Sequence, residues 1–278
     1  EEVITRPAVT LEDGIKYTGE WKGHKKHGKG VQTYPDGSTF EGVFVEGVAC
    51  GPAAFTHVDG SSFQGEFKDD MANGKGLLSH VDGYKYDGLW KDDLKHGKAE
   101  ESWTDGSKFV GEYKQNKKAG RGTFQWADGS SYDGEFQDSD IHGRVLAFTR
   151  SSWGRYVWAD GRIFAGEWAR NRMNGYGVFH WADKKVYKGF YVDDKKEGYG
   201  EYYWADGRSF KGWWKNGKQE GYGIFRTASG DQRSGVWEDG NRAKWLSEDE
   251  VEPYKTAANV LATPELPTLP AWLNANAA

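Results

Sequence analysis

Three histidines stand in the same phrase, His27-Gly28-Lys29, His96-Gly97-Lys98 and His142-Gly143-Arg144, and an Asp-Gly pair returns at Asp36-Gly37, Asp59-Gly60 and Asp82-Gly83. Histidines and carboxylates are the usual material of metal sites and acid–base catalysis, so their spacing decides whether that chemistry is open. Each recurrence lies in a different copy of a repeating unit. If a unit is two strands, equivalent residues step about 10 Å along a sheet from one copy to the next. That is too far for one metal ion, and a single copy brings too few oxygens together for calcium. The repeated Gly-x-Gly lies inside strand-like segments with no helix after it, so it is no dinucleotide fingerprint. Nucleophile elbow, phosphate loop and His-Glu-x-x-His are all missing from the sequence. We therefore expect no catalytic residues, no cofactor and no metal within this chain.

Composition explains why the chain repeats. Of 278 residues only 37% are hydrophobic, yet 15% are aromatic and 39 are glycine. Buried area must come from Trp, Tyr and Phe, with glycine making room for them. A net charge of -5 with both signs interspersed gives no basic field for nucleic acid. The lone Cys50 excludes an internal disulfide and fits a reducing compartment. No apolar run reaches the ~20 residues of a membrane span. The chain opens on Glu1 instead of Met, which reads as a fragment, so a missing leader decides nothing.

Aligned on its first aromatic, the unit starts at Tyr17, Phe40, Phe63, Tyr86, Phe109, Tyr132, Phe164, Tyr187 and Phe210, with a worn copy at Arg233. Each step is 23 residues except one of 32. Position three is always glycine, from Gly19 to Gly235, and position five is always aromatic, from Trp21 to Trp237. Positions sixteen and eighteen gather half of the remaining rings, including Trp103, Trp126, Trp158, Trp181 and Trp204. Alternation of this kind predicts two strands per copy with the rings on one face.

Covariation between copies suggests how the strands pair. Position four is Glu where thirteen is basic (Glu20 with Lys29, Glu66 with Lys75, Glu112 with Arg121, Glu135 with Arg144), and aromatic where thirteen is tyrosine (Phe190 with Tyr199, Trp213 with Tyr222), with Glu167 and Tyr176 an imperfect case. We read these as neighbours within each hairpin. Three then faces fourteen, glycine on glycine, and the ring at five lies over the glycine at twelve. Between copies, a three-residue loop with its glycine left-handed keeps the rings on one face.

The Tyr-x-Gly-x-Trp, Gly-x-Gly and Asp-Gly phrases resemble the MORN repeat (membrane occupation and recognition nexus). The resemblance implies an all-β fold, an elongated single-layer twisted antiparallel sheet of about ten 23-residue β-hairpin repeats. We place the array at residues 9–246, with a loop insertion around 145–153 and a C-terminal capping tail at 247–278, a short helix followed by an extended end. The sequence departs from the pattern at Ala53, Ala99 and Asp183-Lys184, and in the sixth copy. The insertion is either a tolerated loop or a protrusion that meets a partner through Leu146, Phe148 and Trp153.

Two functional classes are open at this stage. One is a non-catalytic scaffold or adaptor for protein partners, in this family often cytoskeletal, in the cytoplasm and associated with the cytoskeleton or a membrane. The other is an anionic phospholipid-binding module, or the regulatory repeat region of a larger enzyme such as a lipid kinase. For the first, the candidate contact residues are Tyr176, Phe190, Tyr199, Tyr203, Trp213 and Tyr222, which put rings on the face that carries Glu and Lys in earlier copies. We expect them to form an exposed strip that docks a protein or a second copy of this chain, unless the tail folds over it with Trp245 or Trp272. For the second class, the row is Lys29, Lys75, Lys98, Arg121 and Arg144.

Overall fold

The computed structural model describes residues 2–142, 153–256 and 266–271. It contains two compact units, Glu1–Ala127 and Asp128–Ala278. Among the described residues the first holds eleven antiparallel strands, from Val3–Thr10 to Lys117–Gln125. The second holds eleven more, from Ser131–Gln137 to Asn241–Trp245, and one helix, α1 (Glu248–Thr256). Within each unit every described pairing joins antiparallel strands, as a chain of hairpins requires. The first strand starts at Val3 and pairs with Lys16–Lys22, so the sheet begins ahead of residue 9. No helix among the described residues is long and apolar enough to cross a membrane.

The core is a ladder of rings on one face. In the first unit Tyr17 meets Trp21 edge-on at 5.1 Å and Phe44 of the next copy at 5.3 Å; Phe40, Phe63, Tyr86 and Phe109 continue the pattern. The second unit repeats it through Tyr132, Phe164, Tyr187 and Phe210. Edge-to-face contacts of this kind add to the area buried. The first-position rings are almost wholly buried, and most lie across two glycines, with Ala53 and Ala99 in place of the second beside Phe40 and Tyr86. A Cβ on Gly189 would stand 2.5 Å from the Tyr187 hydroxyl oxygen, and one on Gly122 2.6 Å from Phe109 Cε2. Glycine does make space for rings here, but for the ring at position one rather than five.

The expected pairing of four with thirteen exists, between successive copies instead of within the hairpin. Lys29 faces Val43, Gly30 faces Gly42 and Gly28 faces Phe44 in one regular ladder. Inside the hairpin the register is Gly19 with Gly30 and then Trp21 with Lys26. Two additional residues of the second strand therefore bulge opposite Glu20. The turn explains why. Its two central residues are both left-handed, as at Asp69 and Asp70 or Asp92 and Asp93, and such a two-residue turn ties position five to ten. The bulge absorbs the difference and keeps the rings on their face. Gly28 makes it possible with φ +65°, and Glu20 accepts a hydrogen bond from the Lys29 backbone N–H at 2.9 Å. The glutamate thus satisfies the bulged main chain, which is the physical reason it recurs.

Within the units, two kinds of turn staple neighbouring copies together. The Asp-Gly loops are three residues long with a left-handed glycine, as at Tyr34–Ser38, and their aspartates accept the N–H two residues on, Asp59 from Ser61 at 2.7 Å. Where a buried serine follows, at Ser38, Ser61 and Ser107, it accepts from the next copy, Ser38 from the Val58 N–H. At the opposite edge, Asp70 accepts from the Ala49 N–H at 2.7 Å and Asn116 from the Lys95 N–H at 2.8 Å. This second staple is a feature the sequence reading did not single out.

The interruption falls at the bulge. Ile141 pairs with Phe136, and the strand resumes as Trp153–Val157, with Trp153 opposite Glu167 and Gly154 opposite Gly166. Trp153 is therefore the sixth copy's thirteenth residue, the place assigned to Arg144 from sequence, and no part of a loop. A register that already slips tolerates added residues there. Arg144, Leu146 and Phe148 lie outside the described residues.

Candidate functional site

Positions four and thirteen share the face opposite the ring ladder, and the two units use it differently. In the first unit it forms an open groove of about 830 Å³, floored by Gly30, Gly42 and Ala53 and edged by Lys29, Glu41 and Glu66. In the second unit position thirteen is aromatic at Trp153, Tyr176, Tyr199 and Tyr222, and position four at Phe190 and Trp213. Tyr176 pairs with Phe190, ring centroids 5.7 Å apart, and Tyr199 with Trp213 at 6.2 Å. Trp153 meets Tyr176 at 6.2 Å and lengthens the row by one residue that the sequence had placed in the insertion. Tyr222 pairs with Val236, and its hydroxyl meets the Ser234 hydroxyl at 3.0 Å.

Exposure differs from the expectation. Tyr176 and Tyr199 are each 4% exposed and Tyr222 6%, while Phe190, Tyr203 and Trp213 are half-buried. The expected pairs, Phe190 with Tyr199 and Trp213 with Tyr222, give way to pairs with the preceding copy, because the regular ladder runs between copies. Burial also shows in the phenols. Tyr176 and Tyr199 are pushed up to about 12 by desolvation, with the Glu201 charge adding to it. Tyr203 is raised by burial and donates its hydroxyl to Glu201. Among the described residues the buried Tyr199 hydroxyl has no hydrogen-bond partner.

The tail covers one end of the row, with a residue other than those expected. Tyr254 of α1 stacks on Tyr222, centroids 5.4 Å apart and planes at 22°. Ser247 and Glu250 form the capping box that starts α1: the Ser247 N–H donates to the Glu250 carboxylate at 2.9 Å. Val251 is buried at 9% exposure. Trp245 turns to the other face, against Trp237 and Phe225, because a one-residue register shift precedes it. Trp272 lies outside the described residues.

The basic row is exposed in the first unit at Lys29, Lys75, Lys98 and Arg121. Ladder partners are Val43 for Lys29, Leu89 for Lys75 and Glu112 for Lys98, so these residues share a face and pair with the next copy instead of within their own hairpins. On the ring face the sequence reading missed a buried carboxylate. Glu101, 4% exposed, accepts from the Tyr84 and Tyr113 hydroxyls, binds the Lys95 ammonium at 2.5 Å and has Lys118 at 3.9 Å. The signal was there, since position sixteen is Phe or Leu in neighbouring copies.

Comparison with known proteins bears on the architecture. Models of the MORN repeat match residues 17–39, 40–62, 63–83, 86–108, 109–131, 164–186, 187–207 and 210–232. Among solved structures, the chain is similar to the TCP domain of Drosophila melanogaster SAS-4 (dCPAP), solved in complex with a proline-rich motif of Ana2 (dSTIL). That match has 10% identity, covers 66% of this chain and 87% of that one, and has a TM-score of 0.33. The TCP10 domain of Danio rerio CPAP matches at 10% identity over 86% of this chain and 99% of that one, TM-score 0.26. The matched repeats span well over half of the sequence, carry the glycines and rings that build both units, and establish that this chain belongs to the MORN repeat family.

Proposed function

We propose that the chain is a non-catalytic scaffold whose second unit seats a polypeptide partner on the row from Trp153 to Tyr222. The observation that carries this reading is the stack of Tyr254 on Tyr222, in which a segment of the chain's own tail already occupies one end of the row. Tyr and Trp are preferred anchors at protein contacts, and paired rings across a glycine-rich ladder hold them rigid before a partner arrives. The partner segment presents apolar or aromatic side chains to Phe190, Tyr203 and Trp213 and takes the place of α1. Family resemblance supports a cytoplasmic setting on the cytoskeleton or at a membrane, with a second copy of the chain among the candidate partners.

A photo-crosslinking residue at position 203 tests the site, with one at position 75 as the control. Crosslinks formed by the first, mapped to one partner segment and lost on Trp213→Ser, support the reading. Crosslinks equal in yield at position 75, or unaffected by Trp213→Ser, overturn it. Co-sedimentation with phosphoinositide vesicles that is lost on replacing Lys29, Lys75 and Lys98 assigns the basic row to lipid instead.

A further inference from the structure

Position ten carries a lysine in four described copies, and each ammonium lies over rings of the ladder. Lys26 stands 4.7 Å from the Phe44 centroid and donates to Gln32. Lys95 is 4.8 Å from Tyr86 and bound to Glu101; Lys118 is 4.9 Å from Trp103 with the same carboxylate nearby. Gln32 supplies an oxygen to Lys26 within its copy, and Glu101 supplies one to Lys95 within its copy and lies near Lys118 of the next. Lys196 has four rings around it, Trp214 and Tyr202 at 4.7 Å, Tyr187 at 5.1 Å and Trp181 at 5.2 Å. Its residue at position sixteen is Tyr202, which turns a ring face to the amine.

Ring faces attract a cation but accept its N–H bonds weakly. Among the described residues no carboxylate or amide oxygen meets the Lys196 ammonium. Burial alone pulls its pKa down to about 8, so no nearby anion offsets the lost hydration. The charges around it are engaged elsewhere: Glu197 accepts from the Asn216 N–H at 2.8 Å, Lys185 pairs with Asp183 at 2.6 Å and Arg208 with Asp206 at 2.8 Å. What remains is one monovalent cation between apolar walls. A single carboxylate on a short apolar stem matches it, whereas a phosphate dianion asks for more donors than one amine offers.

We propose that Lys196, with Trp181, Tyr187, Tyr202 and Trp214, forms a seat for one carboxylate, the Asp or Glu side chain of a partner polypeptide. The seat is on the ring face, since Tyr187 and Tyr191 alternate with Phe190 along one strand, so it stands apart from the row described above. Carboxylate binding restores the missing acceptor and favours the charged amine. The facing phenols of Tyr187 and Tyr202 are both raised by burial, which leaves Lys196 as the group that titrates near pH 8.

The test follows the Lys196 side-chain carbon signal by NMR in the full chain, assigned with Lys196→Met. Capped hexaglutamate, capped hexaglutamine, acetate and inorganic phosphate are titrated in turn. Hexaglutamate is expected to move the signal saturably and raise the Lys196 pKa by about one unit, a tenfold preference for the charged amine. Hexaglutamine leaves it unmoved, and Lys196→Met lowers hexaglutamate affinity about tenfold, the same factor. The proposal is overturned if hexaglutamate does not move the signal, if hexaglutamine moves it equally, or if Lys196→Met binds like the wild type. Phosphate saturating first overturns the carboxylate, and acetate saturating at the same concentration as hexaglutamate overturns the polypeptide source. Should Lys196→Met fail to fold, a single lysine resonance that responds to hexaglutamate and shows a pKa near 8 supplies the assignment.

Discussion

Tyr254 lies flat on Tyr222, whereas the rings of the ladder meet edge to face. The stack joins the helix to the last copies. α1 has nine residues with Pro253 inside it, too short and too interrupted to persist alone. Its helicity therefore depends on docking through Tyr254 and Val251. Tyr254→Ser is expected to release α1, lower stability by only about 1–2 kcal/mol, and increase both dye binding and crosslinking at position 203. A loss of the array's cooperative transition would show instead that α1 is integral to the sheet.

The same stack changes what a double replacement of Trp213 and Tyr222 by serine does. From the sequence, with the strip exposed, melting would stay nearly unchanged. With Tyr222 buried, the pair should cost about 3–5 kcal/mol, so the half-buried Trp213 alone is the cleaner probe. Thermal melts of Trp213→Ser and Tyr222→Ser side by side check this, with the larger shift expected for Tyr222→Ser.

Gly111 tests the ring-over-glycine rule in the first unit. A Cβ there lands on Phe109 Cζ and close to the Gly122 backbone. Gly111→Val is expected to lose about 3 kcal/mol or more, and the exposed Lys98→Ala less than ~0.5 kcal/mol. Equal denaturation midpoints for the two would mean the faces have been misassigned.

The repeat length, the ring face, the glycine pairs and the three-residue loops were legible because each follows from side-chain parity, which strands preserve. The bulge opposite Glu20 was not. It moves the register by two residues, so parity is unchanged, and covariation of Glu20 with Lys29 fits either a cross-strand pair or a side chain satisfying a bent backbone. Trp153 was hidden for a related reason: the insertion enters at the bulge, where no alternation marks which flank rejoins the strand. Burial of Tyr176 and Tyr199 depends on packing from beyond their own hairpins, and Tyr254 carries no repeat position at all.

Asn116 separates two contributions that a turn residue makes. It adopts φ +66° and accepts from the Lys95 N–H at 2.8 Å, while its own N–H donates to the Lys95 carbonyl at 3.0 Å. Asn116→Gly keeps the left-handed backbone and loses one inter-copy hydrogen bond, for about 1 kcal/mol. Asn116→Ala loses the same bond and adds strain, so its cost is larger by about 1 kcal/mol. Chemical denaturation of the two variants reads the difference, and reversal of their order would assign the staple's value to something other than backbone conformation.

Glu101 gives the array an acid limit whose sign follows from its surroundings. Burial pushes its carboxyl up, but hydrogen bonds from Lys95, Tyr113 and Tyr84 and the Lys95 charge pull harder, leaving it below its ordinary value of 4.5. As pH falls, the unfolded chain takes up this proton before the folded one does. The stabilisation is therefore complete above about pH 4.5 and is lost as pH drops through the lower, folded value. Glu101→Gln removes that dependence and leaves the Lys95 ammonium among rings without its counter-charge. Near pH 7 the loss should be about 3 kcal/mol, shrinking as the medium is acidified. Replacing the closest charged pair, Glu101→Phe with Lys95→Met, supplies the ring that other copies carry and should recover part of the loss. Urea midpoints of the three chains near pH 7 and near pH 3 decide it: a gap between wild type and Glu101→Gln that is as wide in acid as at neutrality would mean that Glu101 is not ionised in the folded protein.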